Sequence, residues 1–542
     1  MTTKISRSAL AGASLLALAG AAGEANAQAR ALGNWSGAYL GAEIGGQWGT
    51  TTFSDPFGPS IFGDDVRTPG FLLGLVGGYN WQAPGSAMVL GIEGTIDALD
   101  SNGQNTCFAY SPTYFSANCE VRPRASATLT GRLGLATGPV LLYAKGGLAW
   151  IDDDITITTN GVFGVPGGPV KVHATPFGWT VGFGAEYALN NALSVKVEYD
   201  YLAFTGVGVS SSLSSNNFDT LNVPRTPADA DQNVSQVKLG LNYSLGGQLP
   251  AAPLPPFVVP PGAVGWTATI GARYVYDTGS FQKGLYPPSQ ISQLTYDDIR
   301  VHNGEIIARV DTPQGIFAKG AIGWGRTAGG NMTDEDWILS GNIGYSNTNS
   351  AKVDGNSIYG HIDLGYNLID RPDARFGFFA GYSHLREEMN PFGCAQRAST
   401  VGGICVPTIP TSVLLITETD TWQSVRVGAN AKFALGNRFN LEADAAYLPY
   451  VHFNGVDHHW LRDPYPLNFL QTGEGTGTEI EAVLSYDVTN ALSLGLGGKY
   501  SALWTKDGSY TAPQLGFGPA PAVAHTDNWG AFVQATYKVG GP

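Results

Sequence analysis

The feature that most constrains this chain is a two-residue alternation of apolar and polar side chains that recurs along its length. It is clearest between Leu193 and Tyr201, where odd positions are Leu, Val or Tyr and even positions are Ser, Lys, Glu or Asp. A period of two places successive side chains on opposite faces of a β-strand. The pattern therefore predicts strands with one apolar face and one charged face.

The composition indicates where such strands are stable. Glycine accounts for 73 of 542 residues, aromatic residues make up 11%, and the mean hydropathy is −0.03. No segment after the N-terminal one approaches the roughly 20 apolar residues of a membrane-spanning helix. In lipid, only helices and closed barrels satisfy every backbone group, and barrel strands alternate between lipid and lumen. We therefore predict an all-β fold of antiparallel transmembrane barrels.

The N-terminal segment predicts export. Lys4 and Arg7 precede an apolar stretch at 9–22, and Ala25-Asn26-Ala27 supplies the small residues of a cleavage site. We expect a signal peptide at 1–27 and an integral protein of a Gram-negative outer membrane. The formal net charge of −14 argues against nucleic acid as a partner.

A proline-rich segment at 246–262 divides the chain and predicts a semi-rigid periplasmic linker. The alternation predicts about eight strands before it, in a barrel at 32–245, and about ten after it, in a barrel at 263–542. Even strand numbers return the chain to the same side of the membrane. A single barrel of eighteen strands is the alternative, which the prolines disfavour because proline cannot donate to the ladder.

The four cysteines form two local pairs, each in a segment expected between strands. Cys107 lies near Cys119, and Cys394 lies near Cys405. Export through an oxidising compartment favours two disulfides over a metal site, for which the close spacing of Cys and His is missing.

Two polar clusters stand out in the second half. Gly329–Trp337 contains Asp334 and Asp336, and a second cluster contains Asp457 and His459. The expected strands at 315–325 and 438–450 place both clusters in long outer loops, after the third and seventh strands. Taken singly, each cluster is typical of a solvated acidic loop or of weak metal binding by neighbouring histidines.

Both halves resemble known families. Gly329–Trp337 and the Asp-x-His pair, in this order and placement, resemble the omptin family of outer-membrane proteases. The first half resembles small eight-stranded porin-like surface proteins of alphaproteobacteria, through Trp35–Trp48 and Val237–Tyr243. The omptin resemblance implies a ten-stranded barrel that cleaves peptides at the cell surface, and lipopolysaccharide as a partner and activator.

The chemistry of these residue types agrees with that implication. A carboxylate beside an imidazole fixes its tautomer and raises its basicity. We expect Asp457 to orient His459, which acts as the general base on a water molecule. Asp334 and Asp336 would hold that water and share a proton, because like charges so close raise one pKa. The expected reaction is peptide hydrolysis without an acyl-enzyme, and it requires no metal or cofactor.

The specificity pocket departs from the family. Omptins that cut beside basic residues carry acidic groups at two positions, which here align with Gly455 and about Gly279, with Asp277 nearby. Cleavage beside Arg or Lys is therefore not expected from the sequence. Two further readings remain open, a non-catalytic structural, adhesive or lipid-binding barrel and a diffusion porin, although eight or ten strands leave little room for a wide pore.

Overall fold

The computed structural model describes most of the chain. Described residues are 34–53, 65–109, 116–159, 170–208, 229–246, 249–250, 265–285, 291–339, 342–399, 403–436, 438–462 and 466–539. The expected signal peptide lies outside them, as does nearly all of the expected linker. Almost every described residue belongs to an antiparallel strand, and Pro513–Leu515 forms one 3-10 turn.

The first sheet closes into a ring of eight strands. Its order is β1-β2-β3-β5-β6-β8-β9-β10, and β10 pairs again with β1. The short strands β4 and β7 are not part of the ring. They pair with the outer ends of β5 and β6. The strands are β1 Gly37–Phe53, β2 Asp65–Gln82, β3 Met88–Ser101, β4 Gly103–Ala109, β5 Ser116–Thr137, β6 Val140–Thr159, β7 Val170–Ala174, β8 Phe177–Ala188, β9 Leu193–Gly208 and β10 Asp229–Leu245.

The second sheet closes into a ring of ten strands. Its order is β11-β12-β13-β15-β16-β18-β19-β20-β21-β22, and β22 pairs again with β11. The strands are β11 Thr267–Leu285, β12 Ser292–Asp311, β13 Ile316–Leu339, β14 Asn342–Ser350, β15 Lys352–Asp370, β16 Ala374–Ser399, β17 Ile409–Leu414, β18 Ile416–Gly436, β19 Phe439–His459, β20 Leu467–Asp487, β21 Leu492–Ala512 and β22 Phe517–Val539. Two closed rings of eight and ten confirm the predicted fold and exclude one ring of eighteen.

The strands extend further outward than the sequence suggested. We expected the third and seventh strands of the second barrel to end at 325 and 450, but β13 continues to Leu339 and β19 to His459. Both polar clusters therefore lie on strands, and the prediction that they occupy outer loops is wrong. Ladder hydrogen bonds between neighbouring strands hold these polar segments extended after the apolar alternation ends.

A belt of exposed apolar side chains marks the lipid-facing part of each barrel. It includes Leu73, Ile92 and Leu133 in the first barrel and Ile322, Trp324 and Tyr450 in the second. At about 3.3 Å per residue, Asp334 lies roughly 30 Å along β13 beyond Trp324, so the polar cluster stands above the membrane. Among the described residues, no helix is long and apolar enough to cross a bilayer.

Buried ion pairs fill the lumen of the first barrel. Lys145 Nζ lies 2.7 Å from Glu198 Oε1, and Lys196 Nζ lies 2.8 Å from Glu43 Oε2. All four side chains are fully buried. The interior is thus occupied by side chains, as expected for eight strands, and an open pore is not compatible with it.

Charged side chains also line the lumen of the second barrel. The alternation along β18 and β19 places Arg426, Lys432, Glu442 and Asp444 on the lumen face, where an ion network among these four is expected. Arg426 instead pairs with Asp363 at 3.0 Å and Glu479 at 3.1 Å, while Asp444 bonds Lys319. Lys432 and Glu442 approach to 3.5 Å. The prediction of charged lumen faces is confirmed, with additional partners from other strands.

The two barrels pack side by side along their outer walls. One apolar cluster contains residues of both, including Tyr187, Val195 and Leu239 from the first and Ala429, Ala431 and Phe433 from the second. A Cβ at Gly46 would lie 2.5 Å from Ile480 Cδ1, which shows how closely β1 approaches β20. Further outward, the rings of Trp48 and Tyr500 lie 4.9 Å apart.

Both predicted disulfides are present, Cys107–Cys119 and Cys394–Cys405. Their surroundings differ from the expectation of irregular loops. The first links the paired strands β4 and β5, and Cys394 lies within β16. Each disulfide therefore braces an outer extension of a barrel.

Candidate active site

A β-bulge in β19 directs the dyad into the barrel mouth. Between Leu448 and Val451, β19 has one residue more than either neighbouring strand, and Pro449 lies within this interval. An extra residue reverses which side chains face inward, and proline is tolerated at a bulge because its missing N–H breaks no ladder bond. Odd-numbered residues then face inward, which brings Asp457 and His459 onto one buried face.

Asp457 and His459 are in direct contact. His459 Nε2 lies 3.0 Å from Asp457 Oδ2, and Asp457 is 1% exposed. Lys283 on β11 donates from Nζ to the same carboxylate oxygen at 2.8 Å and also to Glu418 on β18. Burial alone would raise the pKa of Asp457, but His459 and Lys283 outweigh it and hold that pKa well below its usual range. Asp457 is therefore a carboxylate at neutral pH, in contact with the imidazole of His459.

The second pair of carboxylates lies on β13. Asp334 and Asp336 occupy alternate positions and so share one face of the strand. Burial and the neighbouring Asp336 raise the pKa of Asp334 to about 8. Burial also raises the pKa of Asp336, against the opposing effect of Arg462, whose Nη2 lies 3.8 Å from Asp336 Oδ2. A pKa of about 8 means that Asp334 holds a proton at neutral pH.

The two pairs belong to one site. The charges of Asp457 and His459 both act on the pKa of Asp336, in opposite directions. Asp457 likewise raises the pKa of Asp334. Electrostatic interactions of this kind require proximity, so β13 and β19 present their acidic groups to a common space.

Aromatic rings enclose this space. The ring of Phe469 meets that of His459 edge-on at 4.9 Å, and Tyr510 stacks on Phe469 at 5.2 Å. Tyr296 on β12 is fully buried, and the nearby carboxylates Glu418 and Asp457 add to burial in raising its pKa well above the usual value. Apolar walls lower the local dielectric, which strengthens every charge interaction within the site.

The structure thus brings together all four residues that the sequence selected. It adds Lys283, Glu418 and Arg462, which the sequence analysis missed. The alternation along β11 could have identified Lys283, because it places this residue on the lumen face with Arg273 and Asp277. The contact of Lys283 with Asp457, however, crosses the barrel mouth from the first strand to the seventh, so it depends on how the closed ring places these two strands opposite each other. Among the described residues, no cluster of three or more His, Cys, Asp or Glu side chains is arranged to hold a metal ion.

Gly455 and Gly279, which align with acidic positions of the omptin specificity pocket, have little space around them for a side chain. A Cβ at Gly455 would lie 2.9 Å from Asp420 Oδ1, and a Cβ at Gly279 would lie 1.9 Å from Asn528 Oδ1. Gly279 lies within β11 rather than in a loop after it. Asp277 is in the lumen, where Asn303 donates a hydrogen bond to its carboxylate, so it is not part of the site.

The closed rings and their apolar belts define an integral outer-membrane β-barrel protein of Gram-negative bacteria, here with two barrels on one chain. Residues 13–244 match the family described as outer membrane protein beta-barrel domain, and residues 273–515 match the Omptin family. Both resemblances drawn from the sequence are confirmed.

Individual relatives follow the same division. The 31 kDa outer-membrane immunogenic protein of Brucella melitensis is 29% identical over 223 residues, which span 39% of this chain and 83% of the relative. Outer membrane protease OmpP of Escherichia coli is 28% identical over 198 residues, or 34% of this chain and 62% of OmpP. The crystal structure of the protease OmpT from Escherichia coli covers 50% of this chain at 16% identity and a TM-score of 0.41, too low to support a functional inference. The Omptin match and the similarity to OmpP support an outer-membrane protease.

Proposed function

We propose that the second barrel is a surface endopeptidase that hydrolyses peptide bonds with an activated water molecule. His459 accepts a proton from the water, and Asp457 keeps the imidazole in the orientation and tautomer that this step needs. The observation that carries the proposal is the 3.0 Å contact between His459 Nε2 and Asp457 Oδ2, in a buried site shared with Asp334 and Asp336.

Asp334 and Asp336, here called the β13 pair, complete the mechanism. A carboxyl–carboxylate pair accepts one hydrogen bond from water and donates another, so it can hold the water against His459 or stabilise the oxyanion that forms on attack. Developing charge is stabilised best by groups already oriented in a site of low dielectric. The water attacks the carbonyl directly, and the leaving amine takes a proton from the imidazolium. No acyl-enzyme is formed.

Arg462 has a supporting role in this proposal. Its guanidinium lies 3.8 Å from Asp336, and its charge opposes the increase of the pKa of both β13 carboxyls. It thereby keeps one member of the pair ionised, which preserves the single shared proton. Arg462 is a positioning residue for the pair rather than a proton carrier.

The test is cleavage of a peptide library by the protein refolded with lipopolysaccharide. We expect cleavage by the unmodified chain and at least a hundredfold loss in His459→Ala and in Asp334→Ala. His458→Ala is the matched control, because this neighbouring imidazole bonds Asn468 and lies outside the dyad. Equal cleavage by all variants would contradict the site. Absence of cleavage by any form would favour a non-catalytic structural, adhesive or lipid-binding barrel.

We also propose the domain division drawn from the sequence, with a signal peptide at 1–27, barrels at 32–245 and 263–542, and a linker at 246–262. Strands β1–β10 fall within the first range and β11–β22 within the second. Limited proteolysis in the linker should release two fragments that each show heat-dependent mobility on gels. Cleavage at other sites only, or one fragment without such mobility, would contradict the division.

A further inference from the structure

The outward side of the catalytic strand is covered by the first barrel. Glu335 lies between Asp334 and Asp336, so it faces away from the site, and it is only 2% exposed. Thr106 on β4 of the first barrel donates from Oγ1 to the Glu335 carboxylate, 3.3 Å from both oxygens. Thr106 is itself fully buried. The hydrogen bond therefore joins the two barrels directly behind the catalytic pair.

The residue before Thr106 contacts two further strands. Asn105 Oδ1 accepts hydrogen bonds from Gln282 Nε2 on β11 at 3.0 Å and from Gln293 Nε2 on β12 at 2.8 Å. Gln282 precedes Lys283, which bonds Asp457. Gln293 follows Ser292, which hydrogen-bonds Asp336. Each contact thus falls one residue away from a side chain of the site.

A disulfide and a buried apolar cluster hold the segment that contains Asn105 and Thr106. The Cys107–Cys119 disulfide follows Thr106 and ties β4 to β5. Phe53, Val66, Val121 and Ile155 pack around it in a buried apolar cluster. A salt bridge of 3.0 Å between Arg67 and Asp297 adds another link between the two barrels. We call the paired strands β4 and β5 the outer hairpin. These contacts allow it to hold the neighbouring strands of the second barrel in place.

We infer that the outer hairpin is a built-in support for the active site, with Thr106 and Asn105 as positioning residues that fix β13, β12 and β11. The inference rests on the proposed function and assigns a role to the first barrel. Asp334 and Asp336 lie on a strand that stands above the membrane, so a contact behind it fixes their position relative to His459 and Asp457 on β19. Misplacement by about 1 Å can reduce a rate by roughly a hundredfold.

The experiment measures kcat and KM for a cleaved peptide and hydrogen exchange of the backbone at 330–337, in the full chain. Thr106→Val keeps the shape and removes the donor, Thr106→Ser restores the donor, and Asn105→Ala removes the second set of contacts. Thr52→Val is the control, because the Thr52 hydroxyl donates a hydrogen bond to Asp65 of its own barrel. We expect kcat to fall about tenfold in Thr106→Val with Asn105→Ala, with KM within twofold.

Hydrogen exchange separates this inference from the proposed function. We expect faster exchange at 330–337 in Thr106→Val and Asn105→Ala, and normal exchange in Thr106→Ser. This result would confirm that the outer hairpin positions β13 even if the unmodified chain cleaves nothing. Unchanged exchange and unchanged kcat in the double variant would overturn it, as would an equal effect of Thr52→Val. Heat-dependent gel mobility confirms that each variant has folded.

Discussion

Lys283 and Asp457 are 174 residues apart in the chain, and Lys283 Nζ lies 2.8 Å from Asp457 Oδ2. The same carboxylate oxygen lies 3.0 Å from His459 Nε2. One buried anion thus contacts both a lysine and the imidazole that we propose as the general base. The lysine holds Asp457 ionised, which is the condition for orienting His459.

Replacement of this lysine by Lys283→Met is therefore expected to move the acid side of the pH–rate profile upward. Lys283 lowers the pKa of Asp457, so its loss raises that pKa and Asp457 becomes protonated at a higher pH than before. The measurement is kcat/KM from pH 4 to 9. Lys171→Met is the control, since Lys171 is exposed on β7 of the first barrel. An unchanged acid limb would contradict the role of Lys283.

The β13 pair predicts the alkaline side of the same profile. The pKa of Asp334 is raised to about 8, so Asp334 carries a proton below that pH and ionises above it. We expect kcat/KM to decline as pH rises through about 8, because two negative charges then face the nucleophile. Asp334→Asn cannot ionise and should remove this decline, at a lower overall rate. A decline that persists unchanged in Asp334→Asn would show that another group causes it.

The lumen of the first barrel predicts a large effect of a single substitution on stability. Lys145 pairs with Glu93, Glu198 and Asp200, and all four are fully buried. Lys145→Met leaves three carboxylates without this cation, and breaking such a buried pair typically costs about 3–5 kcal/mol. Urea unfolding of the full chain measures the change. Lys171→Met, at an exposed position on β7, should change the free energy of unfolding little.

The same filled lumen predicts the electrical behaviour of the first barrel. Planar-bilayer recordings of the refolded chain should show no large stable conductance through this barrel. Glu93, Glu198 and Lys196 lie within a connected set of ion pairs across the interior of the first barrel, and ordered side chains there exclude a continuous water column. A stable conductance of the size found in wide porins would contradict this description and revive a diffusion role.

The sequence predicted the parts of the fold that local alternation determines. Leu193–Tyr201 correctly separated apolar from lumen-facing residues, and strand counts of eight and ten followed from similar segments. The ends of β13 and β19 were not predicted, because beyond the lipid belt pairing between strands replaces apolar alternation as the cause of extension. The bulge near Pro449, which directs Asp457 inward, gives no periodic signal.

The contacts between the two barrels could not be predicted from the sequence either. Val195 and Ala431 belong to outward apolar faces, and an outward apolar residue has the same pattern whether it meets lipid or another barrel. Both are buried in the interface between the barrels. For the candidate site, the four residues came from a motif resemblance, while Lys283 and Glu418 required the three-dimensional order of the strands.

A double-mutant cycle between Asp334 and His459 tests the central claim most directly. The claim is that the β13 pair and the dyad act on the same water, and residues that act as a unit give strongly non-additive losses. We predict that Asp334→Ala with His459→Ala reduces kcat/KM no more than about threefold beyond the more damaging single change. Losses that multiply would mean that the two residues act independently, and the proposed single site would be wrong.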